Sequence, residues 1–197
     1  MTIEKDRPRG LGGVLRQLER KLADASMRWR YGHAMRRPHE PPQPGPHPMV
    51  MVCDGLFPRH NIGRIIRSAE VFGAREVHLI DAPVFDTAPA VTALHRIPLK
   101  RFERRESCFA SLREQGYTLV VLETIDEPGP EEVVQTATMP ERAAFVVGNE
   151  THGIGFSREQ HPDARWMTIR MYGQTPCLDV ATAAGVAMYE WVRQHGG

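Results

Sequence analysis

Apolar residues at Leu11, Val14, Leu15, Leu18, Leu22 and Met27 recur at helical spacing, with Arg16, Arg20, Lys21, Arg28 and Arg30 set between them. This pattern predicts an amphipathic helix over about residues 12–31. Residues 38–48 follow with six prolines. Each proline fixes φ and removes a donor, so the stretch reads as an extended spacer and a domain boundary. Beyond it, strand and helix signals alternate. A short apolar run covers 49–53, and a helical pattern closed by Gly73 covers 61–72. A strand candidate lies at 76–80, a weak helix at 87–94 and a further strand candidate at 96–102. Residues 106–115 read as a helix ended by Gly116, 117–122 as a β-rich run, 143–147 and 166–169 as strands, and 178–194 as a long amphipathic helix. Strands separated by helices predict an α/β body with a mainly parallel sheet covered on both faces. The chain thus divides into a helical arm with its linker, 1–48, and a body, 49–197.

Composition agrees with one domain plus an appendage: 197 residues, 41% hydrophobic and 25% charged. No apolar run approaches the roughly 18 residues that cross a bilayer, and no apolar stretch follows Lys5, Arg7 and Arg9 as in a secretory signal. Cys53, Cys108 and Cys177 form neither a disulfide framework nor a zinc-type pairing. A reducing cytoplasm without a bound metal is the expected setting. The net charge of +1 conceals a division. Residues 1–48 hold 10 Lys/Arg against 5 Asp/Glu, and the rest holds 15 against 19. Such an arm either meets a polyanion or is simply a solvated helix.

Three glycine-marked loops follow strands, at the positions where open α/β sheets collect ligands. The first, residues 54–67, runs from Asp54-Gly55 through Arg59 to Asn61 and Arg64, then into a helix that carries Arg67. Asn61 is suited to cap that helix, whose exposed N–H groups favour an anion. The second is Gly148-Asn149-Glu150-Thr151-His152-Gly153-Ile154. Gly148 lets a ligand approach the backbone, and Glu150 faces the same crevice. The third runs from Ile169 through Met171, Tyr172, Gly173 and Cys177 to Leu178 and Asp179, before the closing helix. Singly, each also fits an ordinary connection: a capped helix, a glycine turn, a strand–helix loop.

Together their order and spacing resemble the SpoU (TrmH-type) branch of the SPOUT RNA methyltransferases, over about residues 49–194. The first motif is matched by Asn61-Ile62-Gly63, Ile66-Arg67-Ser68-Ala69 and Phe72-Gly73-Ala74. The second is matched by Gly148-Asn149-Glu150 with Gly153-Ile154. The third is matched by Ile169, Met171-Tyr172-Gly173 and Leu178, then Ala183 to Tyr189-Glu190. The resemblance implies a C-terminal deep trefoil knot and S-adenosylmethionine as cofactor, held largely by main-chain groups. Gly148, Ile169, Met171, Cys177 and Leu178 would line its pocket. It further implies a homodimer acting on tRNA or rRNA, not DNA, with Val180, Ala184, Ala187, Met188 and Trp191 offered either to the partner subunit or to the core.

The implied reaction methylates a ribose 2′-hydroxyl, with Asn61, Arg67, Glu150 and Asp179 as catalytic candidates. Arg16, Arg20, Lys21, Arg28, Arg30, Arg59 and Arg64 are the RNA-binding candidates. Because guanidinium stays protonated, Arg67 is expected to clamp a phosphate, oriented by Glu150, rather than to act as a base. Three positions depart from the family pattern. Cys177 and Asp179 stand where Ser and Asn are usual, and Arg170 where proline is common. A cofactor- or RNA-binding module that has lost methyl transfer is therefore the alternative reading. A dinucleotide-binding fold lacks its G-x-G-x-x-G after the first strand.

Overall fold

The computed structural model describes residues 41–57, 60–82 and 84–196. The predicted 12–31 helix, with Arg16, Arg20, Lys21, Arg28 and Arg30, lies outside the described residues, as does Arg59. Among the described residues there are six strands: β1 (His47–Asp54), β2 (Ala74–Ile80), β3 (Leu99–Phe102), β4 (Thr118–Leu122), β5 (Ala143–Val147) and β6 (Arg165–Met167). The helices are α1 (His60–Val71), α2 (Arg105–Glu114) and α3 (Val180–His195).

The strands form one sheet in the order β3-β2-β1-β5-β4-β6, and every neighbouring pair is parallel. Central β1 and β5 are nearly unbroken apolar runs because both of their faces are covered. On one face Met49, Met51, Cys53 and Phe145 pack under α1 and α3. On the other Val50, Val52 and Val146 pack with Cys108, Phe109 and Leu112 of α2. The edges are short, and β3 carries exposed Lys100 and Arg101, which discourages further strand addition.

Three expectations change, and one open alternative is decided. Residues 87–94 form two separate 3-10 turns, Ala88–Ala90 and Ala93–His95, rather than one helix. The second half of the proline-rich spacer lies on the body: the N–H groups of Gln43, Gly45 and His47 donate to the carbonyls of Arg96, Arg75 and Gly73. Asn61 does not cap α1, which already begins at His60; it lies inside the first turn, almost fully buried. Ala184, Ala187, Met188 and Trp191 are core residues of this chain and unavailable to a partner, since that stripe of α3 faces the sheet. Trp191 also donates its indole N–H to the Pro140 carbonyl at 2.9 Å. The exposed apolar side chains of this region are instead Val71 and Tyr189, the latter edge-on to Phe72.

Candidate active site

The chain leaves β1 toward β2 on one side of the sheet and leaves β5, past β4, toward β6 on the other. The crevice beyond the carboxyl ends of β1 and β5 is therefore the expected ligand position. The loops that follow these strands are joined there. Glu150 N–H donates to the Phe57 carbonyl at 3.1 Å, and the Asn149 side-chain amide reaches the Gly55 carbonyl at 3.4 Å. Asn149 and Gly153 exchange backbone hydrogen bonds of 3.1 and 2.8 Å, which close a tight turn. Gly148 is required by this closure: a Cβ there would stand 2.7 Å from the Gly153 carbonyl oxygen and 2.9 Å from Ile154 Cα. Gly153 has φ +69° and faces the Glu123 carboxylate, so it is constrained twice.

Beside this turn opens a cavity of about 570 Å³, lined by the ends of β4, β5 and β6 and by the segment that enters α3. Gly148, Ile169, Met171, Cys177 and Leu178 all line it, as do Glu150 and Asp179. Met171 and Leu178 remain exposed at its wall. The sequence reading missed Glu123, Thr124 and Thr168, which line the same space. The available signal was positional, since Glu123 and Thr124 stand just beyond a predicted parallel strand. Glu123 accepts a hydrogen bond from Ile154 N–H at 2.9 Å and another from Thr124 N–H at 3.0 Å, which ties β4 to the glycine turn. Arg105 braces the far side of that turn. It donates to Asp54 at 2.5 Å and to the Gly155 carbonyl at 3.0 Å, and stacks on Phe156.

The catalytic candidates divide into two sets. Asn61 donates to Glu150 Oε1 at 2.8 Å, and the same oxygen accepts from Val180 N–H at 3.0 Å. Glu150 thus links the first helix, the glycine turn and the start of α3. This differs from the expected Glu150–Arg67 bond. Buried Asn61 and the unpaired amide at the α3 terminus take that oxygen, and Arg67 is exposed with no hydrogen-bond or ion-pair partner among the described residues. Arg64 lies one turn earlier on the same exposed face. The second oxygen of Glu150 has no donor among the described residues, and Asn61 Oδ1 is buried without one.

Asp179 caps α3. Its carboxylate accepts from Thr182 N–H at 3.0 Å and from the Thr182 hydroxyl at 2.5 Å. The Thr182 hydroxyl bond leads the effects that hold it below the ordinary carboxylate range, outweighing partial burial, and the Arg64 charge adds to them. Asparagine caps a helix about as well, so this departure from the family pattern keeps its structural task. Arg170 also has a local reason. Its backbone N–H, which proline lacks, donates to Gln135 Oε1 at 3.0 Å.

The three thiols are unequal. Cys53 and Cys108 are buried, and burial first, then the Asp54 charge, pushes both up to about 12, whereas Cys177 is exposed. Iodoacetamide is therefore expected to modify Cys177 alone in the folded protein. A ligand filling the cavity at ten times its Kd should slow that reaction about tenfold. Peptide mass spectrometry with and without ligand reads both outcomes. Rates unchanged by a ligand known to bind would place Cys177 outside the site.

The sequence model of the SpoU rRNA Methylase family matches residues 48–189. An uncharacterized tRNA/rRNA methyltransferase from Synechocystis sp. is 31% identical over 156 residues, which are 76% of this chain and 39% of that protein. The 23S rRNA (guanosine-2′-O-)-methyltransferase RlmB of Salmonella typhi is 29% identical over 155 residues, 75% of this chain and 60% of the relative. This chain therefore spans less than two thirds of either relative. Among solved structures, the SpoU methyltransferase AviRb of Streptomyces viridochromogenes in complex with AdoMet is similar with a TM-score of 0.63. It is 23% identical, and the match covers 79% of this chain and 60% of that one.

Proposed function

Since the chain belongs to the SpoU rRNA methylase family, we propose that it transfers a methyl group from S-adenosylmethionine to a ribose 2′-hydroxyl of tRNA or rRNA. The observation that carries this reading is the convergence of all five expected cofactor residues, from two separate loops, on one cavity beside Glu150 and Asn61. The cavity fits the cofactor in size. Gly148 lets the turn that borders it close, and among the described residues the lining offers apolar contacts with carboxylates but no cationic side chain. When bound, the cofactor supplies a methyl group already activated by a sulfonium.

The remaining work falls to the chain: aligning the ribose hydroxyl and receiving its proton. Arg67, exposed and unpaired among the described residues, suits a two-pronged grip on the neighbouring phosphate. Glu150 is held by Asn61 and Val180 through one oxygen, so the other is free to orient the hydroxyl or accept its proton. Asp179 is ill-suited to that task, because both of its oxygens serve the cap and its lowered pKa makes it a weaker base. Asp179→Asn should therefore retain the cap and change the turnover rate by less than about threefold. Rates measured across pH 5–9 should show no inflection that disappears in this variant. A loss of activity would return Asp179 to the chemistry.

The trefoil knot belongs to the same reading. It is supported by the return of the chain from edge strand β6 to α3 beside α1, past the glycine turn to which Val180 N–H is bound. A homodimer through α1 and α3 is supported by exposed Val71 and Tyr189 with half-buried Phe72 and Val186. Arg64, Arg59 and the basic residues of the N-terminal segment would supply phosphate contacts. Among the described residues no helix is long and apolar enough to cross a membrane, and a cytoplasmic location fits an enzyme that acts on RNA. Ribose-methylation mapping of tRNA and rRNA from cells with and without the protein tests the assignment. One 2′-O-methyl mark should vanish and return with the wild-type gene. An unchanged map would count against it.

A further inference from the structure

Among the described residues the cavity is lined by three carboxylates, Glu123, Glu150 and Asp179, and by no lysine, arginine or histidine. Glu123 and Glu150 form no ion pair among the described residues, and their hydrogen bonds come from neutral donors: Ile154 N–H and Thr124 N–H for Glu123, the Asn61 amide and Val180 N–H for Glu150. Neutral donors fix these charges in place without cancelling them. Asp179 differs in having the Arg64 charge nearby. Unneutralised charge in a concave site with low-dielectric walls concentrates potential of one sign. Such a cavity favours a cation, gives a neutral ligand no electrostatic gain, and repels phosphate-bearing nucleotides.

We propose that this carboxylate lining makes the site distinguish the sulfonium cofactor from its demethylated thioether by charge, with Glu123 as the main determinant. The inference rests on the proposed methyltransferase reading and deepens it. S-adenosylmethionine carries one net positive charge at neutral pH; S-adenosylhomocysteine, whose sulfur has lost the methyl group, carries none. The two are otherwise nearly the same shape, so a pocket that reads only shape would hold both alike. Glu123 is singled out because two backbone N–H groups pin its carboxylate at the cavity wall and it is less exposed than Glu150 or Asp179. The consequence is a site that loses its hold on the product when the charge is gone, and is only weakly inhibited by it.

Calorimetry on the full chain tests this with three ligands: S-adenosylmethionine, S-adenosylhomocysteine and sinefungin, whose amine restores a positive charge where the sulfonium stood. The two charged ligands should bind about tenfold more tightly than S-adenosylhomocysteine, a scale between that of two unit charges in bulk water and that of a pair near a protein surface. Raising the ionic strength should weaken the charged pair and leave the neutral ligand almost unchanged. Glu123→Gln keeps an acceptor for Ile154 N–H while removing the charge. It should narrow the preference by about threefold or more, with S-adenosylhomocysteine affinity held within about twofold. Equal or tighter binding of S-adenosylhomocysteine by the wild type would overturn the inference and leave the methyltransferase reading standing. An equal loss for all three ligands in Glu123→Gln would overturn it too, because it would make Glu123 only a tether for the turn. Failure of all three to bind the wild type would overturn both. Should Glu123→Gln not fold, the wild-type order of the three ligands and their salt dependence decide the matter alone.

Discussion

Gly148→Val should abolish cofactor binding while leaving the sheet folded. The Cβ alone would meet backbone atoms of Gly153 and Ile154 at 2.7–3.0 Å, and backbone has no other rotamer to adopt. The turn must then open, and the paired hydrogen bonds between Asn149 and Gly153 open with it. Overpacking and the lost bonds together cost roughly 3 kcal/mol, so cofactor affinity should fall by about 100-fold or more. β5 itself is untouched, and thermal unfolding should stay cooperative. Calorimetry beside a melting curve separates the two effects. Wild-type affinity in a folded Gly148→Val protein would mean that the glycine turn does not form the cofactor site.

Arg67→Lys should produce the converse separation. The side chain is exposed and outside the cavity wall, so cofactor binding should persist. Lysine keeps the charge but loses the planar fork that grips a phosphate through two parallel bonds. Turnover should fall by about 100-fold, since the reacting hydroxyl is then poorly aligned. Single-turnover rates with RNA and cofactor both saturating measure this directly. A rate within a few-fold of wild type would assign Arg67 to general RNA attraction rather than to positioning.

Much of the fold is legible in the sequence. The apolar run 143–147 coincides with β5, because a central parallel strand must be apolar on both faces and so needs no periodicity to be seen. The five residues expected at the cofactor site follow from the resemblance of their motifs to the family, and they line one cavity. The Asn61–Glu150 bond is not legible there, since it joins residues 89 apart and depends on how two loops meet. An apolar stripe on α3 fits a core or an interface equally well, and only its packing against the sheet decides between them. Glu123 escaped for a different reason. A single carboxylate after a strand carries no motif, and its importance comes from the turn it holds and the cavity it faces. The hydrogen bonds that lay residues 43–47 on the body are made by backbone groups, which every sequence possesses.

The most direct test of ribose methyl transfer uses the purified full chain, methyl-labelled S-adenosylmethionine, and bulk tRNA and rRNA lacking the modification. Digestion to nucleosides reports where the label goes. The account predicts label in a single 2′-O-methylnucleoside, with its phosphodiester linkage resistant to alkali, and none from Gly148→Val. Label on a base, or no transfer by a protein that binds both cofactor and RNA, would contradict it.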